Sequence, residues 1–247
     1  MNALRCVLEK EMVFMKRSFA MKATILLLAL SLLALLAMPA FAATPNERIT
    51  QSVGVIRDLS SQDDIETMAD LVKSARGVVI IPKYIKAAFG IGGAHGEGLI
   101  LRRDAATNKW YGPSFLSISG ASIGLQIGVQ STALLLVINN DKGMEHFYGD
   151  KLKLGADVDI AAGPVGRSAG AATDINLKAS IYSYSMNEGL FAGFSLSGSL
   201  MSTDHDVNAS YWGSSLNSKE ILNKRATAAN IQPLLSVLNN LIKRAGN

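Results

Sequence analysis

The chain has 247 residues, is 49% hydrophobic and carries a formal net charge of +4. Its only cysteine is Cys6, so a disulfide framework and a cysteine-ligated metal site are excluded. Residues 1–42 hold five basic and two acidic residues, and removing them lowers the formal charge from +4 to +1. A nucleic-acid-binding function inferred from global charge therefore has little support.

The first 42 residues have the features of a cleavable signal peptide. A short basic region precedes the apolar run Ile25–Ala37, and Ala40-Phe41-Ala42 has the small-x-small form of a signal-peptidase site. A retained membrane anchor is the alternative, although the run is shorter than a span of roughly twenty residues. We expect cleavage after Ala42, a secreted or periplasmic location and a single domain over 43–247. Residues 1–14 could lie upstream of the true start.

Two amphipathic helices are predicted next. Thr44-Pro45-Asn46-Glu47 supplies an N-cap, a Pro at the first helical position and a capping-box acid, which predicts a helix over 45–58. A similar capping pattern from Ser61 to Asp64 predicts a second helix ending near Ser74. Packing of both helices on the domain core is favoured, and membrane insertion is the alternative.

Strand patterns then begin. The β-branched run Val78–Ile81 is wholly apolar and is followed by Pro82, which predicts a short buried strand ended by the proline. Lys83 and Lys86 are expected in a basic turn after it. A glycine-rich segment, a strand over 98–102, a polar turn over 104–108 and a returning strand from residue 110 are expected to follow.

Residues 115–129 alternate with a period of two, with Gly120, Gly124 and Gly128 on one face. The parity changes near Gly120, which predicts a bulge there. A transmembrane glycine zipper is the alternative, but Gln126 in its middle and the period of two argue against it. The glycine face of such a strand is a trough of bare backbone that a helix or a long apolar ligand must cover.

The remaining chain predicts an α+β fold, with a large, mainly antiparallel β-sheet or half-barrel between amphipathic helices at both ends. The most distinctive stretch is Ile181–Leu200, where a three-residue loop at Asn187-Glu188-Gly189 predicts a β-hairpin. The other expected elements are strands at Leu134–Ile138 and Leu152–Ala161, a short helix at Asp141–Tyr148, tight and polar turns at 163–167 and 204–208, and helices at 218–225 and 230–244.

No catalytic or cofactor motif is complete in this sequence. The glycines at 90–98 fit G-x-G-x-x-G spacing poorly and precede a strand, so no helix N-terminus is available for a pyrophosphate. Asp157 and Asp159 share one strand face and are interpreted as exposed rather than as acid/base partners. The histidines at 95, 146 and 205 lack metal-ligand spacing. We therefore expect a protein that is not an enzyme and has no cofactor.

Basic residues at turns and strand ends are the remaining candidate site. Guanidinium and ammonium groups beside glycine amides suit phosphate oxygens, and apolar troughs beside them suit acyl chains. Ordinary solvated charges are the alternative. The basic residues concerned are Lys83, Lys86, Arg102, Arg103 and Arg167.

Several of these stretches together resemble the SYLF domain, also called the Ysc84 actin-binding domain, from about Ile65 to Leu222. They occur in the order that the family shows. In this chain they are Ala75-Arg76-Gly77-Val78-Val79-Ile80-Ile81-Pro82, Gly90-Ile91-Gly92-Gly93-Ala94-His95-Gly96-Glu97-Gly98, Trp110-Tyr111-Gly112-Pro113-Ser114-Phe115, Gly124-Leu125-Gln126-Ile127-Gly128, Ala162-Gly163-Pro164-Val165-Gly166-Arg167, and Tyr182-Ser183-Tyr184-Ser185 with Gly189-Leu190-Phe191-Ala192-Gly193.

The resemblance implies phospholipid binding without catalysis, with phosphoinositides in eukaryotic members and actin in fungal ones. Several members carry SH3 or FYVE modules, which do not follow here, and the signal peptide makes actin and phosphoinositides doubtful partners. We expect a bacterial phospholipid or another amphiphile, with possible peripheral membrane contact. A structural or protein-interaction module of the envelope, its groove filled by the C-terminal helix, is the alternative. The predicted lipid-binding residues are Lys83, Lys86, Arg102, Arg167, Gly124, Gly128 and Phe194.

Overall fold

The computed structural model describes residues 43–62, 65–164, 178–187 and 190–245, which lie in one compact unit that starts at Ala43. The α+β prediction is confirmed, with a large curled, mainly antiparallel sheet and helices at both ends. The predicted signal peptide lies outside the described residues. The helices are α1 (Pro45–Ser60), α2 (Glu66–Ser74), α3 (Asp141–Glu145), α4 (His205–Trp212), α5 (Ser218–Ile221) and α6 (Gln232–Lys243). The strands are β1 (Gly77–Asp104), β2 (Lys109–Ile138), β3 (Lys151–Lys153), β4 (Ile160–Ala162), β5 (Ile181–Asn187), β6 (Leu190–Gly193) and β7 (Leu200–Thr203).

The centre of the fold is one very long antiparallel hairpin of β1 and β2. The prediction that Pro82 ends a short strand is wrong, since β1 continues through it to Asp104. The register shifts between Ile81 and Tyr84, so the proline sits at an irregularity where no ladder hydrogen bond is needed from it. Lys83 and Lys86 therefore lie within a strand and not in a turn.

Strand β1 folds back on itself. The amide of Arg103 donates to the carbonyl of Arg76 at 2.8 Å, which brings the two ends of the strand together. A Cβ at Gly96 would lie 2.9 Å from the Lys83 carbonyl oxygen, and a Cβ at Gly98 would collide with the Ile80 carbonyl. Gly96 and Gly98 thus allow two parts of one strand to approach closely, which is their packing role.

The outer strands join only parts of β2. Strand β7 pairs with residues 116–119 and β5 pairs with residues 133–138, so between them the described pairing of β2 is with β1 alone. The predicted hairpin of 181–193 is confirmed as β5 and β6. The strand predicted up to Leu200 is interrupted, however, by a turn in which Gly198 has φ of +88°.

Three further predictions differ from the structure. Leu152–Ala161 is not one strand, because a turn with Gly155 at φ +82° separates β3 from β4. The polar turn expected at 204–208 is the start of α4, whose first turn is capped by the Asp204 side chain accepting from Val207 N at 3.2 Å. The bulge expected near Gly120 is absent, and the register is shifted instead between Phe89 and Ile91.

Helices α1, α2 and α6 cover one face of the sheet. Helix α1 begins with the predicted capping box of Thr44 and Glu47, whereas α2 begins at Glu66 after Ile65, an N-cap residue that makes no side-chain cap hydrogen bond. Helix α6 buries its predicted leucine stripe against α1, α2 and this sheet face. A second apolar cluster fills the opposite face beneath α3 and β3. Among residues 43–62, 65–164, 178–187 and 190–245, no helix is long and apolar enough to span a bilayer.

Candidate functional site

The candidate site is the part of the β1–β2 hairpin that pairs with no third strand among the described residues. We call residues 83–88 of β1 and 128–132 of β2 the free ribbon. Its residues face each other in antiparallel register, with Ile85 opposite Ser131 and Ala87 opposite Val129. Because side chains alternate between the two faces of a strand, these four residues share one face, and Lys86 shares the other with Gln130.

The outer face of the free ribbon is apolar and exposed. Val129 is 74% exposed and Ile85 is 38% exposed, while Ala87 and Ser131 beside them are also exposed. Ile85 and Val129 are diagonal neighbours on this face, and exposed aliphatic side chains grouped in this way are a feature of surfaces that contact a membrane or another molecule. Ile85 and Val129 are not among the predicted site residues, although they are the chain neighbours of Lys86 and Gly128, which are.

The inner face of the free ribbon is covered by the chain itself at Tyr84 and in part at Lys86, whereas Gln130 is exposed. The Lys86 Nζ atom lies 5.8 Å from the centre of the Phe194 ring, a cation–π arrangement, and Tyr84 meets the same ring edge-on at 6.4 Å. A Cβ at Gly120 would lie 3.4 Å from the Tyr84 hydroxyl and 3.3 Å from the Ser199 hydroxyl. At Gly120, therefore, side chains of the protein fill the predicted trough.

Tyr84 contributes a neutral hydroxyl to this covered face. Burial raises the pKa of the Tyr84 hydroxyl, and a hydrogen bond with Ser199 opposes the rise. The phenol therefore keeps its proton well above neutral pH, and no negative charge develops beside Lys86.

Charge around the free ribbon is one-sided. Lys83 is exposed and Lys86 is half-buried. The sequence has no Asp or Glu between Gly77 and Gly96, and none in the whole of β2. Two ammonium groups beside an apolar face, with no carboxylate on the same segments, are suited to anionic groups at an apolar boundary.

The other predicted site residues are Arg102, Gly124, Gly128 and Arg167. The Arg102 Nε atom donates to the Leu222 carbonyl at 2.6 Å, and its guanidinium stacks 3.9 Å from the Tyr111 ring. Gly124 lies within β2. Gly128 is exposed with φ of +153°, and a Cβ there would meet nothing within 4 Å. Arg167 lies outside the described residues.

Cavities found in the described part of the chain do not coincide with the free ribbon. One of about 340 Å³ is lined by Arg76, Arg102, Arg103, Asp141 and neighbours, so its basic groups face carboxylates. Another of about 660 Å³ is polar and lies between the start of β2 and α6. Neither of these two cavities is lined by Lys83, Lys86 or Phe194.

The two aspartates considered for catalysis have structural contacts. Asp157 accepts from the Lys153 amide at 2.7 Å, and Asp159 accepts from both the amide and the hydroxyl of Ser180 at 2.7 Å. Burial alone raises the pKa of Asp159, but the hydrogen bonds from Ser180 outweigh it and leave the pKa below its usual value. Within the described residues, no three His, Cys, Asp or Glu side chains are grouped as metal ligands.

Fold and site together define an α+β protein with a curled antiparallel sheet and a surface suited to binding. Comparison with known proteins gives the family. A profile described as "Las17-binding protein actin regulator" (Ysc84) matches residues 119–241, and the chain belongs to this Ysc84 (SYLF) family.

Relatives in yeasts and mammals are similar over most of this chain but are longer than it. An SH3 domain-containing protein of Schizosaccharomyces pombe is 34% identical over 78% of this chain and 45% of its own length. LAS seventeen-binding protein 3 of Saccharomyces cerevisiae is 33% identical over 69% of this chain and 38% of its own. Human SH3 domain-containing YSC84-like protein 1 is 29% identical over 72% and 52%. The chain therefore spans about half or less of the length of these relatives.

Proposed function

We propose that this protein binds phospholipid, or an amphiphile with the same chemistry, through the free ribbon and without catalysis. The observation that carries the proposal is the exposed apolar face of Ile85, Ala87 and Val129 beside Lys83 and Lys86. Aliphatic side chains at such a face would enter the acyl boundary of a membrane, and the ammonium groups would meet phosphate oxygens.

The physical magnitudes favour weak, reversible association. Burying one partly exposed aliphatic side chain contributes on the order of 1 kcal/mol. Each lysine near an anionic bilayer surface contributes about 1 kcal/mol, and the contribution falls with added salt. The summed contribution of two such lysines and two such aliphatic residues is small. Stable attachment therefore needs several copies of the protein or a large membrane area.

The proposal includes export. A short basic region, the apolar run Ile25–Ala37 and the small residues before Ala43 support removal of residues 1–42 and a secreted or periplasmic location. In that location, bacterial phospholipid would be the available partner, and cytosolic actin would not. The names of the relatives refer to SH3 domains and to Las17 binding, which are properties of those proteins.

Vesicle binding tests the proposal. Purified protein is mixed with vesicles of phosphatidylcholine alone or of phosphatidylcholine with phosphatidylglycerol, and the bound fraction is measured by flotation at low and high salt. We expect binding to the anionic vesicles that weakens with salt. Replacing both lysines, Lys83→Gln with Lys86→Gln, should weaken it about 25-fold, since each lysine contributes about fivefold.

A matched control uses two exposed lysines outside the free ribbon, Lys73→Gln with Lys219→Gln. This double variant changes the net charge by the same amount and should bind as the unchanged protein does. Recovery of the protein in the soluble fraction with both vesicle types would contradict the proposal. An equal loss in the control would assign the effect to net charge and not to the free ribbon.

A protein-interaction module is the second candidate. The family description names a Las17-binding protein, and helix α6 is already packed against α1 and the sheet. The sequence-based alternative is a groove filled by the C-terminal helix. In the structure, α6 covers only the sheet face that carries Trp110, Leu135 and Val137. A protein partner would therefore have to use the exposed surface, and the vesicle experiment separates the two candidates.

A further inference from the structure

A buried ionic cluster lies where the chain enters α1. The guanidinium of Arg48 is 1% exposed and pairs through one Nη2 atom with Glu97 Oε2 at 3.0 Å and Asp204 Oδ2 at 2.8 Å. Its Nε donates to the Ala43 carbonyl at 3.0 Å. The cluster thus joins α1, β1 and the residue that caps α4.

The same cluster holds the backbone nitrogen of Ala43. This nitrogen donates to Glu97 Oε2 at 3.1 Å, the oxygen that also pairs with Arg48. Arg48 is buried, whereas the side chains of Glu97 and Asp204 are 26% and 21% exposed. Counted without His95, whose Nε2 lies 3.9 Å from Glu97 Oε1, one arginine and two carboxylates carry a formal charge of −1. The three side chains therefore have one more negative than positive charge, and Glu97 already contacts the Ala43 nitrogen.

Ala43 is also the first residue after the predicted cleavage site. Hydrolysis of the Ala42–Ala43 bond by a protease of the signal-peptidase class consumes one water, breaks the C–N bond and leaves a carboxylate on Ala42. The amine released on Ala43 takes up a proton and becomes an α-ammonium group. We propose that this ammonium is the missing charge, and that processing after Ala42 completes the Arg48–Glu97–Asp204 cluster and fixes α1 on the sheet.

Several charges near Ala43 affect the free energy of an ammonium group at this position. An ammonium near the N-terminus of α1 opposes the helix macrodipole, which costs some of the gain. Glu97 and Asp204 offset that cost, and Arg48 is the other cation of the cluster. Glu47, the remaining acid nearby, is occupied as the capping-box partner of the Thr44 amide and hydroxyl at 2.8 Å. The proposal is independent of lipid binding, because it concerns only residues 43, 48, 97 and 204.

The test begins with the full chain. It is exported from a bacterial host, the product is purified, and its first residue is read by Edman degradation. We expect Ala43. A second chain has one glycine inserted between Ala42 and Ala43, so that its product carries the ammonium one residue too early. Urea unfolding should show an equilibrium constant for unfolding about tenfold larger for the extended product, as for loss of a charge-assisted hydrogen bond.

Glu97→Gln, introduced in both products, tests the pairing between the Ala43 ammonium and the Glu97 carboxylate. The tenfold difference should shrink to less than about twofold, because the coupling between two groups in contact is lost when either is removed. Glu66→Gln, at an exposed acid in the first turn of α2, should leave the tenfold difference unchanged. A first residue other than Ala43, or fully additive effects of the insertion and Glu97→Gln, would overturn the proposal.

The pH dependence gives a readout that needs no change at Glu97. The α-amino group of an unfolded chain has a pKa of about 7.7–8.0, and pairing with Glu97 raises the folded-state value. The stabilisation is therefore fully present below about pH 7 and is lost as the pH rises through the folded-state pKa. A stability difference between the two products that stays constant from about pH 6 to 10 would also overturn the proposal.

Discussion

The glycines of β1 do not all have the same structural role. A Cβ at Gly98 would collide with the Ile80 carbonyl, and at Gly96 it would press on Lys83 and Tyr84 backbone. At Gly93 a Cβ would meet nothing within 4 Å. The first two glycines therefore permit the close approach of two parts of β1, whereas Gly93 is not required by packing.

Alanine substitution should separate these roles. Gly98→Ala is expected to destabilise the fold by about 3 kcal/mol or more, because backbone atoms must move to relieve the overlap. Gly93→Ala, in the same strand, is expected to be neutral or to stabilise by up to about 1 kcal/mol, since alanine loses less backbone entropy. Urea denaturation of both variants measures the difference. Equal destabilisation would contradict the folded-back geometry of β1.

The free ribbon is the element on which the proposed function depends. Its inner face is covered through Lys86, Tyr84 and Phe194, and its outer face exposes Val129. The β-strand alternation means that one substitution on the outer face can alter binding while leaving the inner contacts intact.

Val129→Asp should reduce association with vesicles by tenfold or more. It removes an exposed apolar side chain and places a carboxylate where the acyl boundary would be, on a strand that has no other acid. Because Val129 is 74% exposed, the free energy of unfolding should change by less than about 1 kcal/mol. Ala106→Asp adds the same charge in the exposed β1–β2 turn and should leave binding nearly unchanged. Equal binding by all three proteins would argue against contact through this face.

The elements at the chain ends could be predicted from sequence, and the continuity of the sheet could not. The Thr44–Glu47 capping box and the leucine stripe of α6 are local signals, and both helices form as predicted. Pro82 and the glycines from 90 to 98 indicate breaks locally, yet pairing with β2 carries the strand through all of them. Tertiary context outweighs local preference in strands more than in helices.

The candidate site could be predicted in part for the same reason. Lys86 and Phe194 were both named from sequence and do lie against one another. Ile85 and Val129 were missed, because alternation shows which residues share a face but not which face the rest of the chain covers. Ser61 and Asp64 matched a capping pattern, but Ile65, the N-cap residue of α2, makes no side-chain cap hydrogen bond.

At the scale of the whole molecule, two apolar clusters hold the sheet from opposite sides. The first joins α1, α2 and α6 to one face, and its members include the fully buried Leu238 and Ile56. The C-terminal helix is thus part of the core of the described unit. Exposing a groove beneath α6 would require the helix to lose these contacts.

Leu238→Ala should destabilise the protein by about 2–5 kcal/mol, because it leaves a cavity in a fully buried cluster. Val237→Ala, at the partly buried neighbour, should cost less than about 1.5 kcal/mol. Thermal or urea unfolding measures both. The folded fraction of Leu238→Ala should bind vesicles normally under the free-ribbon proposal, and a selective gain in binding would favour a groove beneath α6.

The length of the β1–β2 hairpin also sets the order in which the molecule can assemble. The rung between Asp104 and Lys109 closes a loop of 5 residues, whereas the rung between Gly77 and Ile138 closes one of 61. If each formed alone, the larger loop would cost about 2 kcal/mol more chain entropy. Pairing is therefore expected to start at the turn and propagate outward, each rung shortening the loop left for the next. The contact of Gly98 with Ile80 comes near the end of that sequence. Strand β5 pairs with residues 133–138 of β2, which join the hairpin late, whereas β7 pairs with residues 116–119, which join it early. We therefore expect β7 to have its partner available before β5 does.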